Sequence, residues 1–391
     1  MRTVIVSGAR TPFAKYGGAL RSLHASELGG YAIKDALKRA NIPNEQVDDV
    51  IMGNVLQAGQ GQLPSRQAAY LAGLPWTVKT ETINKVCASG MRSVMMADRM
   101  IRLQESGVIV AGGMESMSNA PYYLSSTRWG QRMGNGELID GMVHDGLTCS
   151  FRGVHMGTYG SDVARELGIS REEQDRWAYE SHKKALDAIK SSKLAEEIVA
   201  VKVAQRKGDD LVVDTDEAPR KSTTVEQLSK LKPVFSQDGT ITAGNAPGIN
   251  DGAAALVLMS EEKAGKAGLT PLATIVAHAS MATKPEDFPK TPGLVINQLL
   301  AQTKKRACDI DLFEINEAFA AVALASKQIA GLDPNKINVN GGAVALGHPI
   351  GASGTRIILT LAHELKRVGG GLGIAAICSG GGQGDAVLIE V

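Results

Sequence analysis

The sequence predicts an α/β protein built from two similar halves, with a long segment inserted into the first. Three observations lead there. Strand-like and helix-like stretches alternate over most of the 391 residues, a pattern that gives sheets covered by helices on both faces. The run Cys87-Ala88-Ser89-Gly90-Met91-Arg92 lines up with Gly351-Ala352-Ser353-Gly354-Thr355-Arg356, and the same offset carries Gly107 onto Gly371 and Val108-Ile109-Val110-Ala111 onto Leu372-Gly373-Ile374-Ala375. A short match arises easily by chance, but a match followed by a strand in register points to duplication. The third observation is an interruption. In the second half a strand ending at Ile377 is followed by a tight turn and another strand, 385–391, whereas the equivalent strand 108–113 must wait for its partner at 253–259.

Each element has its own signal. Thr3-Val4-Ile5-Val6 reads as a strand. Residues 27–40 place Leu28, Tyr31, Ala32, Ala36 and Ala40 on one side of a helix that stops before Pro43. Residues 48–54 resemble 311–317 at nearly the duplication offset. A strand runs up to Val86, and 91–103 read as a helix carrying Val94, Met95, Met100, Ile101 and Leu103. The inserted residues 119–249 differ in composition: Tyr122, Tyr123, Trp129, Trp177, many loops and one good helix. That helix starts at the capping box Ser170-Arg171-Glu172-Glu173 and carries Trp177, Ala178, Ala185 and Ile189. A hairpin follows, 198–203 with 211–213. So much chain at one strand end is expected to cover a substrate. In the second half, 311–315 and 337–340 read as strands, 317–329 as a helix, and 355–367 as a helix with the stripe Ile357, Ile358, Leu361 and Leu365, ended by Gly369-Gly370-Gly371. Strands at 374–377 and 386–389 close the chain. The expected division is 1–118 with 250–270, the insertion 119–249, and 271–391, the two halves packing about a pseudo-twofold axis.

Composition excludes several classes. Lysine and arginine number 42 against 41 acidic residues, a net charge of +1, so no basic field is available for nucleic acid or an anionic membrane. Aromatics at 4% argue against a base-stacking platform. The 44 glycines show no collagen period, and 43% hydrophobic residues is too many for a disordered chain. No apolar run approaches the ~18 residues of a membrane span, and no leader or C-terminal address is apparent; a cytoplasmic protein is the expectation. Cys87, Cys149, Cys308 and Cys378 form no C-x-x-C pair, so no metal site is expected. Each is by default a free, small, buried hydrophobe.

Two cysteines and a histidine stand out. Cys87 lies where a strand turns into a helix N-terminus, among small residues that allow close approach. The unpaired N–H groups there favour a thiolate, so Cys87 reads as a nucleophile, with a core cysteine as the bland alternative. Cys378 ends an apolar strand and opens Ser379-Gly380-Gly381-Gly382-Gln383-Gly384; it reads equally as an acid/base or as core. His348 is fixed in a glycine-rich loop by Pro349. Asn316, at a strand end, is placed either to orient a water or an oxyanion or to cap the helix 317–329. Gly371-Leu372-Gly373-Ile374-Ala375-Ala376 imitates a dinucleotide fingerprint but precedes a strand instead of following one.

Asn84-Lys85-Val86-Cys87-Ala88-Ser89-Gly90, Ala111-Gly112-Gly113-Met114-Glu115-Ser116-Met117-Ser118, Asn316-Glu317-Ala318-Phe319-Ala320, Asn340-Gly341-Gly342 through Gly347-His348-Pro349-Ile350-Gly351, and Cys378-Ser379-Gly380-Gly381-Gly382 follow one another along the whole chain. In this order they resemble the thiolase family. The resemblance implies a duplicated five-layer αβαβα fold and an inserted loop domain that binds coenzyme A and joins subunits. It implies reversible Claisen condensation of two acetyl-CoA to acetoacetyl-CoA and CoA through an acyl-cysteine, with no cofactor or metal beyond these thioester substrates. It also implies a role in fatty acid and lipid metabolism and a homotetramer, a dimer of dimers. By the same match Cys87 is the nucleophile. His348 activates it and shares one oxyanion hole with a water on Asn316. Cys378 takes the α-proton, and the N–H groups of Cys87 and Gly380 form the second hole. CoA contacts fall on His155, Met156, Arg220, Phe235, Ala243, Pro247 and Phe319. Pro247 departs from the family pattern, standing where many members have a serine that bonds the pantetheine. The competing readings are a 3-ketoacyl-CoA thiolase of broader chain length, a carrier-protein condensing enzyme (which should carry a second histidine in place of Cys378), a cysteine hydrolase using Cys87 and His348, and a non-catalytic CoA-binding relative.

Overall fold

The computed structural model describes residues 1–391. The first half runs β1 (Thr3–Arg10), β2 (Ala14–Lys15), α1 (Ala25–Ala40), β3 (Asp49–Gly53), α2 (Pro64–Leu71), β4 (Lys79–Ile83), α3 (Ser89–Arg102) and β5 (Val108–Ser116). The inserted segment carries β6 (Tyr122–Tyr123), β7 (Ile139–Asp140), α4 (Met156–Glu166), α5 (Arg171–Lys190), β8 (Val201–Val203), β9 (Leu211–Val213) and α6 (Val225–Ser229). The chain then returns through β10 (Asn250–Ser260) and α7 (Glu261–Lys266). The second half runs β11 (Ala273–Ala282), α8 (Thr291–Thr303), β12 (Leu312–Ile315), α9 (Ala320–Ala330), α10 (Ala343–Leu346), α11 (Ser353–Val368), β13 (Leu372–Ser379) and β14 (Gln383–Glu390).

Strand order displays the duplication. The main sheet path is β12-β13-β14-β11-β1-β10-β5-β3-β4. Read outward from its centre, β1-β10-β5-β3-β4 mirrors β11-β14-β13-β12, and the halves meet where Thr3, Val4 and Ile5 pair with Ile275, Thr274 and Ala273. β10 pairs with β5 across the insertion as β14 pairs with β13 across a tight turn.

Alternation along the strands sorts side chains into layers. Val108 and Val110 of β5 pack with Leu28 and Ile33 of α1 and with Ala68 and Ala69 of α2. Ile109 and Ala111 point the other way, onto Met91 and Val94 of α3 and Ile357 and Leu361 of α11, where Ile377 and Val387 of the second half join them. Ile374 and Leu388 face outward again, onto Val295 and Leu299 of α8. Helices, sheet, central helices, sheet, helices: the five layers are present. The central pair packs tightly enough to explain part of the glycine surplus. A Cβ on Gly113 would lie 1.9 Å from the carbonyl oxygen of Gly351, and one on Gly354 would lie 2.4 Å from Met91 N.

The inserted segment is held by buried polar groups. Arg10 of β1 contacts Glu197 at 2.6 Å and grips both oxygens of Asp216 at 2.6 and 2.8 Å, with all three side chains buried. No helix is long and apolar enough to cross a membrane.

Four readings of local structure need correction. The strand expected at 337–340 reduces to one bridge between Ile337 and Phe313, because Asn338 turns left-handed (φ 45°) and its side-chain amide bonds both the N–H and C=O of Ile315 in place of a backbone ladder. The helix expected from 317 starts at Ala320, with Phe319 as its N-cap, so the capping role for Asn316 falls away. The hairpin 198–203 with 211–213 is shorter, β8 beginning at Val201. The insertion holds α4 and α6 besides the one helix expected. Gly157 and Gly160 weaken the helical signal of α4, yet packing requires them small: a Cβ on Gly157 would lie 2.1 Å from the ring of Phe235.

Candidate active site

Cys87 leaves the end of β4 through Asn84-Lys85-Val86 and stands just ahead of α3, whose N-cap is Ala88. Cys378 is near the end of β13, fully buried. The two thiols are close enough for the charge of Cys87 to bear on Cys378. Each half therefore delivers one thiol to the same place.

The protonation states differ from the sequence expectation. Burial pushes the Cys87 thiol up to about 12; the N–H groups of Cys87 and Gly380 face the sulfur and oppose this, and Glu115 adds to it. The helix N-terminus thus does not leave a resting thiolate, because desolvation of the charge outweighs it. Burial, and then the neighbouring Cys87, raise Cys378 well above the ordinary thiol range. Burial, with a smaller push from Arg356, lowers His348 to about 3. The resting site is two neutral thiols and a neutral imidazole.

The hydrogen bonds assign the tautomer of that imidazole. Ser353 Oγ lies 2.6 Å from His348 Nδ1 and donates its own hydrogen to Pro349 O at 3.0 Å. Nδ1 therefore carries the proton and donates to Ser353. Nε2 is left as an acceptor, facing the amide Nδ2 of Asn316 at 3.4 Å. Asn250 Oδ1 accepts the His348 N–H at 2.9 Å, fixing the loop. Asn316 is fully buried, and its Oδ1 has no protein partner.

A cleft of about 350 Å³, lined mostly by apolar residues, opens over this group. Cys87, His348 and Gly380 line it, and its walls include His155, Met156, Phe235, Pro247, Phe288 and Phe319. His155 caps α4 by accepting the Gly157 N–H and stacks on Phe235 with ring centres 4.0 Å apart. Phe319 meets both Phe235 and Phe288 edge-on. Cys378 and Asn316 lie behind this lining, while Arg220 and Ala243 lie outside it, both exposed and joined by a hydrogen bond from Arg220 Nη2 to Ala243 O. Cys149 fits the bland reading of a buried thiol, although it also lines the cleft; Cys308 does not, being exposed.

Two buried glutamates that sequence reasoning passed over hold the site together. Glu115 accepts from Asn54 Nδ2, Val55 N, Leu56 N and Gly351 N at 2.8–3.1 Å, joining loops of both halves beneath Cys87. Glu317 accepts from Trp177 Nε1, Ser181 Oγ, Asn338 Nδ2 and Val344 N at 2.8–3.0 Å. The signal was an acid at the end of an apolar strand, where a carboxylate must find partners.

Residues 3–262 match the thiolase N-terminal domain and residues 269–391 the thiolase C-terminal domain. The chain belongs to the thiolase family. An acetyl-CoA acetyltransferase of Cupriavidus necator is 51% identical over 99% of this chain and 98% of its own length. One of Chromobacterium violaceum is 47% identical over the full length of both chains. A mitochondrial acetyl-CoA acetyltransferase of Xenopus tropicalis is 50% identical over 99% of this chain and 91% of its own.

Proposed function

We propose that the protein is an acetyl-CoA acetyltransferase, condensing two acetyl-CoA to acetoacetyl-CoA and CoA and running in reverse as a thiolase. The observation that carries this is the convergence of Cys87 and His348 in the lining of an apolar cleft, with Cys378 buried behind them and the N–H groups of Cys87 and Gly380 beside the Cys87 sulfur. The names of the full-length relatives support it.

In the first step Cys87 Sγ attacks the thioester carbonyl while His348 Nε2 takes the thiol proton. A neutral pair suits this, since the proton moves only as the bond forms. The developing oxyanion lies against the N–H groups of Cys87 and Gly380, and CoA leaves with the proton of Cys378, which becomes a thiolate while His348 keeps the proton taken from Cys87. In the second step Cys378, as thiolate, removes a methyl proton from the next acetyl-CoA. The enolate oxygen is held by His348, whose Nε2 carries the proton taken from Cys87 and returns it when Cys87 is released, and by a water on Asn316, whose unpartnered Oδ1 suits that task. The carbanion attacks acetyl-Cys87 and expels its thiolate. Phe288 packs in the same cluster as Cys378 and Phe319, and the names of the full-length relatives favour acetyl over the broader 3-ketoacyl reading. His155, Met156, Phe235, Pro247 and Phe319 would receive the pantetheine arm, with Arg220 and Ala243 on the surface toward the nucleotide. We also propose the division 1–118 with 250–270, 119–249 and 271–391, a cytoplasmic location, a role in fatty acid metabolism, and a homotetramer.

Acetyl-CoA alone is expected to leave one acetyl group on Cys87, seen by intact mass and peptide mapping and absent from Cys87→Ala. Cys378→Ala is expected to take the acetyl group and fail to condense. An adduct that persists in Cys87→Ala, or normal condensation by Cys378→Ala, overturns the assignment.

A further inference from the structure

Lys85 and Asp385 come from opposite halves of the chain and meet beside the reactive centre. Lys85 Nζ lies 2.6 Å from Asp385 Oδ1; Asp385 is fully buried and Lys85 only 16% exposed. Asp385 pairs with Ile377 across the β13–β14 hairpin, one position from the pair Cys378–Gly384. A second tie runs the same way: Ser379 Oγ donates to Lys85 O at 2.6 Å.

On the Cys87 side the loop is held by three short hydrogen bonds. Lys85 N donates to Ser89 Oγ at 2.8 Å, Ser89 Oγ donates to Val86 O at 2.6 Å, and Val86 N donates to Asn84 Oδ1 at 2.9 Å. These bonds hold Val86 at φ 47°, a left-handed conformation that a β-branched residue avoids unless its surroundings impose it. The bend brings the Val86 side chain onto Gly380: a Cβ there would lie 3.4 Å from both Val86 methyl carbons. The segment that presents Cys87 is therefore pressed against the residue that supplies the second N–H.

A buried ion pair adds little net stability, because desolvation cancels much of the attraction; fixing a unique geometry is its better-attested use. Asp385 Oδ2 has no hydrogen-bond partner, so the carboxylate holds its surroundings through Lys85 alone.

We propose that Lys85 and Asp385 are positioning residues: their ion pair, with the Ser379 hydrogen bond, locks the Cys87 loop to the Cys378–Gly380 hairpin and sets the spacing of the N–H groups of Cys87 and Gly380. The proposal rests on the acyl-cysteine reading above. Losing an oxyanion donor outright costs about 10²–10³ in rate; loosening two donors without deleting either should cost less.

The test is the rate of Cys87 acetylation by acetyl-CoA, followed by rapid quench and intact mass. Lys85→Met and Asp385→Asn are each expected to slow the saturated rate constant by about 10–100-fold, with the half-saturating acetyl-CoA concentration changed less than about twofold. The double variant should be about as slow as either single variant, because both act on one device. Lys85→Arg, which keeps the charge, should recover most of the rate. Folded single variants that acetylate at the wild-type rate overturn the proposal, as do additive losses or a loss confined to half-saturation. If Lys85→Met does not fold, Ser379→Ala removes one tie without stranding a charge, and an unchanged acetylation rate in that variant overturns the proposal equally. A wild-type protein that takes no acetyl group sinks the acyl-cysteine reading and the proposal together, whereas wild-type acetylation with unaffected variants sinks the proposal alone.

Discussion

At the scale of single residues the site is governed by burial more than by the helix terminus beside it. His348 shows this most directly. Its imidazole is held neutral down to about pH 3, against an ordinary value of 6.5, because burial penalises the cation. The sign of the linkage follows. Between pH 6.5 and about 3 the unfolded chain binds a proton at His348 that the folded chain refuses, so stability falls as pH drops through that window. Above pH 6.5 both states are neutral and His348 contributes no slope. His348→Asn is therefore expected to flatten the acid limb of a urea-unfolding series between pH 6.5 and 4, while leaving the slope from pH 7 to 9 unchanged. An equally steep acid limb in the variant would show that His348 is readily protonated in the folded state. The sequence points to Cys87 at a strand-to-helix turn among small residues, to His348 in a glycine-rich loop and to Cys378 at the end of an apolar strand, and the structure brings the three together. The protonation of Cys87 is not legible in the sequence, because it depends on burial and on the charge of Glu115, which are set by chain segments distant in sequence.

At the scale of elements, α5 shows how the inserted segment is aligned with the second half. Its capping box was legible and is present, with Ser170 accepting from Glu173 N. What docks the helix was not legible, because Glu317 and the groups that share it with α5 come from separate stretches of the second half. Trp177 and Ser181, one turn apart on α5, both donate to Glu317, as do Asn338 and the N–H of Val344. Each carboxylate oxygen receives two donors, which suits an acceptor-only group. Glu317→Gln keeps the shape but turns an NH₂ toward two donors. It is expected to cost about 2–4 kcal/mol of stability, measured by equilibrium denaturation. A loss below ~0.5 kcal/mol, the range of an ordinary surface substitution, would show that the hub is not needed to dock α5. Asn338 belongs to the same lesson. Its residue type signals a turn and its neighbours signal a strand, and the structure satisfies both by letting the side chain pair where a backbone would.

At the scale of the whole molecule the duplication was legible because the two central helices must pass close together, and only small residues at matched positions permit that. The outer helix α8 and the strand β11 gave no comparable signal, being packed by interchangeable aliphatic residues. The surface carries the remaining argument. Around the inserted segment Trp129 is 88% exposed, Met133 94% and Phe151 72%. Elsewhere β4 ends the sheet as an open edge, next to an exposed, stacked Tyr70–Trp76 pair. An open strand edge invites pairing with another chain, and burying a large apolar side chain is worth ~1.5–3 kcal/mol. Two separate sticky surfaces on one chain fit the proposed dimer of dimers, with the edge strand in one contact and the inserted segment in the other. Trp129→Ser combined with Met133→Ser should break only the second contact. Light scattering is then expected to give the mass of four chains for the wild type and of two for the variant, with Cys87 still acetylated because neither residue lines the cleft. A variant that keeps the wild-type mass would remove the inserted segment from the assembly, and a monomeric wild type would remove the assembly itself.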